Sequence, residues 1–309
     1  MYHYVRDLPT TRFPRIKGLL TDAFRHQVDS LRTTYEMATL ESALAFWRGD
    51  YVPTRDLCLL TFDDGLQDHY TDVLPILAER SVQGLFFLIT ASCEERRVVS
   101  AHKNHFLTAA LGLETYRAAF LRRLREVSAG VDVSVDLAQV RRTYRWDSEE
   151  AGAFKYLLNF RLSAAMRDQV LDRLFHDHLG DETQFAQQLY VSWEQARQMQ
   201  RSGMLMGGHS HNHMALATLS PEAQRKDLET CATLLRRQLD GQTVWPFSYP
   251  YGKAETFNGG TVQALRDNGF VCAFGTVPGA TQPGDDVYAL RRVDTKSLQS
   301  ERLTTVAHA

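Results

Sequence analysis

The chain has 309 residues, of which 44% are hydrophobic, and its formal net charge is −2. That length and composition suit one large α/β domain with a sizeable core. The balanced charge creates no field that would attract nucleic acid, so none is expected as a partner. No stretch approaches the roughly 20 apolar residues of a membrane span, and the opening residues lack the pattern of a secretory signal peptide. The sequence therefore predicts a cytoplasmic protein, and it leaves the oligomeric state open.

Six apolar runs predict β-strands, and helical periodicity separates several of them. The predicted strands lie at about 57–62, 84–90, 204–207, 243–247, 270–275 and 287–293. The predicted helices lie at 70–80, 192–202, 220–239 and 260–268. Ser220 followed by Pro221 is typical of a helix start, and Gly203 is typical of the position after a helix end. Strands that alternate with helices favour a parallel sheet or barrel.

The stretch 93–190 differs from the rest of the chain. It has almost no strand pattern and much amphipathic helix pattern, for example at 106–127 and 163–178. We therefore predict a single domain over 1–309 that carries a helical insertion at 93–190.

Two adjacent carboxylates, Asp63 and Asp64, follow the first apolar run and precede Gly65. Like charges so close raise the pKa of one carboxyl unless a cation neutralises the other. His209 and His213 are four residues apart, so one helical turn or a tight loop places both rings on one side. Two histidines and one aspartate with an open position are typical of a hydrolytic metal site. In such a site Asp64 is the carboxylate ligand and Asp63 accepts a proton.

Each of these two patterns has an ordinary explanation by itself. Asp-Asp-Gly is common in turns, and two histidines four residues apart arise by coincidence on surfaces and in cores. Their joint occurrence, each at the end of an apolar run, is what favours a metal site.

Three segments carry a resemblance to a known family. They are Thr61-Phe62-Asp63-Asp64-Gly65, His209-Ser210-His211-Asn212-His213-Met214-Ala215-Leu216 and Phe247-Ser248-Tyr249-Pro250-Tyr251-Gly252. In this order they resemble the motifs of the polysaccharide deacetylases with the NodB-homology domain, carbohydrate esterase family 4. The resemblance covers most of the chain, with 93–190 as an additional segment.

The resemblance implies a deformed (β/α) barrel in which Asp64, His209 and His213 hold one divalent metal ion and Asp63 is the general base. Zn²⁺ is the first candidate, and Ni²⁺, Co²⁺ and Fe²⁺ are alternatives that accept the same ligands. The implied reaction is metal-dependent hydrolysis of an acetyl group, with N-acetyl expected before O-acetyl. The implied substrate is an N-acetylated carbohydrate, in a surface polysaccharide or, given the expected location, its precursor.

The third segment is expected to face the substrate. The resemblance implies that a backbone N–H of this segment donates to the developing oxyanion, and Tyr251 is the better donor because Pro250 has no N–H. The rings of Tyr249 and Tyr251 are expected either to stack on a sugar ring or to belong to the core.

Two positions depart from the family pattern. Ser248 stands where many members carry an arginine that orients the base. Arg291 or Arg292 is the candidate for that role. The alternative is that both are ordinary surface arginines. A late histidine usually supplies the general acid, but this chain opens with Met1-Tyr2-His3. That opening is similar to the permuted deacetylases that act on poly-N-acetylglucosamine. His3 is therefore the expected acid, with His308 in reserve.

Two other functions stay open at this stage. The same fold could hydrolyse another C–N amide bond in a small molecule, and a closed pocket rather than a long groove would favour that reading. A catalytically decayed glycan-binding protein is the second alternative. Failure of His209 and His213 to bind Zn²⁺, Co²⁺ or Ni²⁺ would favour it.

Overall fold

The computed structural model of the chain describes residues 1–145 and 147–295. The chain divides into two compact units. The first comprises Met1–Asp7, Lys17–Arg97 and the chain from Ala186 onward, and the second comprises Leu8–Ile16 and Val98–Phe185. Within the described residues, no helix has the length and apolar character needed to cross a bilayer.

The first unit is built on parallel strands that neighbour one another in chain order. Strands β1 (Glu36–Met37) and β2 (Leu57–Cys58) form a parallel pair. The main sheet is made of five parallel strands: β3 (Leu60–Phe62), β4 (Gly84–Leu88), β5 (Leu205–Gly208), β6 (Trp245–Ser248) and β7 (Phe270–Phe274). Sequential parallel order is typical of a (β/α) barrel, and the predicted α/β barrel class is confirmed.

Short segments continue this sheet at both edges. Tyr2 pairs with Phe62 beside β3, and Leu290 pairs with Phe274 beside β7. The backbone nitrogen of Met1 donates to the carbonyl of Val293 at 2.8 Å. These contacts bring the two edges of the curled sheet together.

The chain also forms α-helices in both units. In chain order they are α1 (Thr21–Thr34), α2 (Leu40–Arg48), α3 (Leu74–Glu79), α4 (Thr90–Glu95), α5 (Ser100–Leu111), α6 (Leu113–Val127), α7 (Leu137–Thr143), α8 (Glu149–Tyr156), α9 (Ala164–Leu179), α10 (Glu182–Leu189), α11 (Trp193–Arg201), α12 (Pro221–Gln238) and α13 (Gly259–Asp267). Turns of π-helix occur at His69–Val73 and Leu157–Arg161, and 3-10 turns occur at Leu8–Thr10, Leu216–Thr218 and Ala254–Thr256.

Local capping explains several helix boundaries. Ser192 and Gln195 form a reciprocal capping box at the start of α11, and Gly203, with φ +85°, follows its end. The hydroxyl of Ser220 accepts from the backbone of Ala223 at the start of α12, and Pro221 occupies the first position. The helix starts and ends predicted from these residues are confirmed.

Two predicted strands differ from the observed ones. The segment 57–62 is divided, because Leu57–Cys58 pairs with β1 whereas Leu60–Phe62 pairs with β4. The segment 287–293 contributes only the bridge at Leu290, because a turn in which Ala289 donates to Asp286 precedes it.

Helices and helical turns are the regular secondary structure of the second unit in the part that the structure describes, and irregular segments such as 128–136 connect them. Its long segment, Val98–Phe185, falls inside the predicted insertion at 93–190, and Leu8–Ile16 belongs to the same unit. The sequence offers no pattern that would have joined Leu8–Ile16 to these helices. The organisation as one catalytic domain over 1–309 with this insertion stays a prediction.

Candidate active site

The candidate ligands converge at the carboxyl-terminal ends of the strands in the main sheet. Asp63 and Asp64 directly follow β3, His209 directly follows β5, and Ser248 ends β6. Because parallel strands all end on the same side of a sheet, residues that are far apart in sequence meet there. The carboxyl-terminal ends of the strands are also where (β/α) barrels carry their active sites.

Three buried side chains form a compact cluster. Asp64 Oδ1 lies 3.3 Å from His209 Nε2 and 3.4 Å from His213 Nε2. The ligand atoms of all three residues lie within 4.8 Å of one another. Two imidazole nitrogens and one carboxylate oxygen are a donor set that Zn²⁺ and related divalent ions accept. The residues present therefore fit a metal ion.

A backbone contact sets the tautomer of one ligand. His209 Nδ1 lies 2.7 Å from the carbonyl oxygen of Ser248. A carbonyl only accepts, so Nδ1 carries a proton and Nε2 is the ring nitrogen that faces Asp64. Burial lowers the pKa of His209, but the hydrogen bond from Nε2–H to Asp64 and the charge of Asp63 outweigh it and raise the pKa overall. The cluster thus favours a cation at Nε2.

Asp63 is held by a bidentate ion pair with Arg292. Arg292 donates Nη1–H to Asp63 Oδ1 and Nη2–H to Oδ2, both at 2.8 Å. Burial raises the pKa of the Asp63 carboxyl, but the Arg292 guanidinium and the nearby His209 outweigh it and hold the pKa well below its usual range. Asp63 is therefore an oriented, ionised carboxylate beside the cluster.

The guanidinium of Arg292 is itself fixed by neighbouring groups. Its Nε–H donates to the Gly275 carbonyl at 2.7 Å, and its Nη2–H donates to Ser248 Oγ at 3.0 Å. Ser248, the residue found where the family pattern has an arginine, thus contacts an arginine that arrives from elsewhere. Of the two candidate arginines, the structure brings Arg292 to Asp63, whereas Arg291 is exposed.

His3 also lies close to Asp63. Its Nε2 is 3.9 Å from Asp63 Oδ2, and 44% of its side chain is exposed. A buried residue that the sequence did not single out holds the backbone there, because His69 Nε2–H donates to the His3 carbonyl at 3.0 Å. The alternative acid, His308, lies outside the described residues.

We expect His69 to make the folded state sensitive to acid. Its side chain is fully buried, and burial lowers its pKa from 6.5 to about 4, with His3, Asp63 and Asp64 as the nearest charges that act on it. Below pH 6.5 the unfolded state binds a proton that the folded state does not, so this contribution to stability is complete above pH 6.5 and is lost as the pH falls towards 4. The loss reaches about 3 kcal/mol.

Urea unfolding at pH 7.5, 6 and 5 measures this effect. His69→Gln retains a donor for the His3 carbonyl and does not titrate, so its free energy of unfolding is expected to fall less steeply on acidification. Titrating groups that do not interact with His69 cancel in the difference between the two proteins. Parallel pH profiles for the wild type and His69→Gln would contradict the expectation.

The third segment divides between the site and the core. The ring of Tyr251 lies 5.2 Å, centroid to centroid, from the ring of His213. Tyr249 is 1% exposed, stacks on Phe257 at 3.8 Å and donates its hydroxyl to the Tyr288 carbonyl. Of the two alternatives for the Tyr249 ring, the structure places it in the core, where Phe257 stacks on it. Pro250, between the two tyrosines, is buried.

Backbone conformations around the cluster are unusual. Asp64, Ser210, His213 and Tyr251 have positive φ values of 81°, 61°, 54° and 62°. Residues with a Cβ rarely adopt this region, and such strain is concentrated at functional sites. No pattern in a single sequence marks these positions, since none of them is a glycine.

The fold, together with a buried Asp-His-His cluster beside an oriented carboxylate, defines a hydrolase-type site on a (β/α) barrel. The family model described as polysaccharide deacetylase matches residues 51–128 and 166–273. The chain belongs to the polysaccharide deacetylase family. This membership supports deacetylation of a polysaccharide as the class of reaction.

Individual relatives are more distant. The chain is 29% identical over 104 residues to a putative polysaccharide deacetylase, YxkH, of Bacillus subtilis (strain 168), and this match spans 34% of the chain but only 36% of that relative. IcaB from Ammonifex degensii superposes with a TM-score of 0.58 at 19% identity, covering 100% of this chain and 96% of IcaB. The Streptococcus pyogenes deacetylase PplD in complex with acetate superposes with a TM-score of 0.56 at 16% identity, covering 95% of this chain and 89% of PplD. These structures agree in fold.

Proposed function

We propose that this chain is a metal-dependent enzyme that removes the acetyl group from an N-acetylated sugar in a surface polysaccharide or its precursor. The observation that carries the proposal is the convergence of Asp64, His209 and His213 beside a carboxylate, Asp63, that Arg292 holds in place. Asp64, His209 and His213 would hold the ion, with Zn²⁺ the first candidate and Ni²⁺, Co²⁺ or Fe²⁺ the alternatives.

A divalent ion in this site would act as a Lewis acid towards the acetyl carbonyl. Asp63 is proposed as the general base. It is ionised, and each carboxylate oxygen keeps an acceptor lone pair beyond the one that Arg292 uses. It can therefore take a proton from water as the water oxygen attacks the carbonyl carbon. Arg292 is the proposed base-orienting residue.

His3 is proposed as the general acid. Its Nε2 lies near Asp63 and its side chain is partly exposed, so it can approach a bound substrate from the open side. In the second step the C–N bond breaks, the departing amine takes a proton from His3, and acetate is released. The backbone N–H of Tyr251, in the segment beside Pro250, is the proposed donor to the carbonyl oxygen as negative charge develops.

The contact between Arg292 and Asp63 bears on the alternative of a decayed glycan-binding protein. Two departures from the family pattern support that alternative: the missing arginine in the third segment and the absence of a clear match to the late histidine that usually supplies the acid. Because Arg292 supplies a guanidinium to the same carboxylate, the first of these supports is removed. No comparable observation favours a small-molecule amide as the substrate.

The test is acetate release by protein treated with a chelator and then reloaded with Zn²⁺, Co²⁺, Ni²⁺ or Fe²⁺. The substrates are oligomers of N-acetylated hexosamine, with small cyclic amides as the comparison. Equal amounts of acetate and free amine, formed only after metal is restored, are expected and distinguish N- from O-deacetylation. Absence of acetate with all four metals, or hydrolysis of the cyclic amides alone, would overturn the proposal.

A further inference from the structure

The loop 209–213, which carries both histidine ligands, is held by one carboxylate from a neighbouring helix. Asp227 lies on α12 and is 5% exposed. Its Oδ1 accepts the backbone N–H of His211 at 2.8 Å, and its Oδ2 accepts the backbone N–H of Asn212 at 3.0 Å. The side-chain amide of Asn212 donates to the same Oδ2 at 3.0 Å. Three donors from two consecutive residues thus converge on a single buried carboxylate.

The rest of the loop is bonded through its own atoms, through α4 and, at His209, through the ends of β4 and β6. The carbonyls of Ser210 and His211 accept from the backbone N–H groups of Thr90 and Ala91. The N–H of His213 donates to Ser210 Oγ at 2.9 Å. Asp227 is therefore the side chain outside the loop that takes up its N–H donors, and it does so at the two residues between the ligands.

The conformation that results is one that the loop would not keep by itself. Ser210 and His213 both have positive φ, a region that residues with a Cβ disfavour. Local strain of this kind persists only where surrounding contacts determine it. Charged hydrogen bonds from backbone N–H groups to a buried carboxylate are among the stronger contacts available.

We propose that Asp227 is a positioning residue for the metal centre. By fixing the backbone of His211 and Asn212, its carboxylate sets the spacing at which His209 and His213 present Nε2 towards Asp64. The inference rests on the proposed function, because it assumes that these three residues bind a metal ion.

Asp227→Asn is the direct test. The amide keeps the size of the side chain but accepts hydrogen bonds at one end only, so one loop N–H must lose its partner. Because residues that orient metal ligands typically contribute a factor of about 10 to 100 to metal affinity, the Kd for Zn²⁺ and Co²⁺ is expected to rise by that factor. Competition with a chromophoric chelator measures the Kd, and urea unfolding of the metal-free protein measures stability separately.

Two further variants complete the design. Glu229→Gln removes the same charge from an exposed position of α12 and is expected to leave the Kd within about twofold. Asn212→Ala tests the contact from the loop side, removes one of the three hydrogen bonds, and is expected to raise the Kd about threefold to tenfold. It also keeps the inference testable if Asp227→Asn does not fold.

The outcomes separate the inference from the proposed function. Wild-type affinity in Asp227→Asn, or in Asn212→Ala where Asp227→Asn does not fold, would overturn the positioning role alone. A lower stability of the metal-free protein with unchanged Kd would do the same, since it would show a purely structural contact. Failure of the wild-type protein itself to bind either metal would overturn both.

Discussion

Replacement of Asp63 with asparagine is expected to lower kcat for acetate release by about 10²- to 10⁴-fold, the usual contribution of a general base. The amide cannot take a proton from water, although it occupies nearly the same space. The proposed metal ligands Asp64, His209 and His213 are unchanged, so the protein is still expected to bind one equivalent of metal. Initial rates and metal content, measured on the same preparation, check both parts.

The Asp63 variant needs a stability control because it also breaks an ion pair. Arg292 is buried, and a buried charge that loses its partner typically costs about 3–5 kcal/mol. Unfolding must therefore be measured beside kcat, so that a loss of folded protein is not mistaken for a loss of catalysis. Asp240→Asn, at an exposed aspartate, is the matched control and is expected to behave as the wild type. A variant at Asp63 that kept more than a tenth of the wild-type kcat would contradict the assignment.

The second large effect is expected at the histidine ligands. His209→Ala or His213→Ala removes one of three ligands, so we expect stoichiometric metal binding to be lost and acetate release to fall by about 10³-fold or more. Chelation of the wild-type protein should give the same loss. Added Zn²⁺ or Co²⁺ should restore the wild type but neither variant.

His211 provides a control within the same loop. Its ring is turned away from the cluster, with Nδ1 3.0 Å from Thr90 Oγ1 and Nε2 3.2 Å from Glu95 Oε1. His211→Ala is therefore expected to retain metal binding within about threefold, the effect of losing partly exposed polar contacts. Equal metal binding by His209→Ala, His213→Ala and His211→Ala would show that the metal, if bound, lies elsewhere.

The sequence predicted those parts of the fold and site that depend on local patterns. Ser192 and Ser220 predicted two helix starts, because the capping pattern depends on only a few adjacent residues. The two motifs around Asp64 and His209 indicated the metal ligands, because each follows an apolar run that forms a strand. The family resemblance then supplied the barrel and the reaction class.

What the sequence could not predict depends on contacts between distant residues. Nothing near Arg292 distinguishes it from Arg291, and only the path of the chain after β7 decides which of them meets Asp63. The hydrogen bonds from His69 to His3 and from Asn212 to Asp227 join elements whose spacing in sequence carries no signal. The sequence left Tyr249 between a sugar-facing and a core role, because an aromatic residue in a motif looks the same whether its ring faces solvent or the core.

The ion pair between Asp63 and Arg292 has a mechanical consequence as well. The two residues are 229 positions apart and extend from opposite borders of the sheet, where Tyr2 joins Phe62 and Leu290 joins Phe274. The two borders of the sheet are thus joined by the same guanidinium that holds the proposed general base. Separation of the borders would release Asp63 from its fixed orientation, so under the proposed mechanism closure of the barrel also prepares the base.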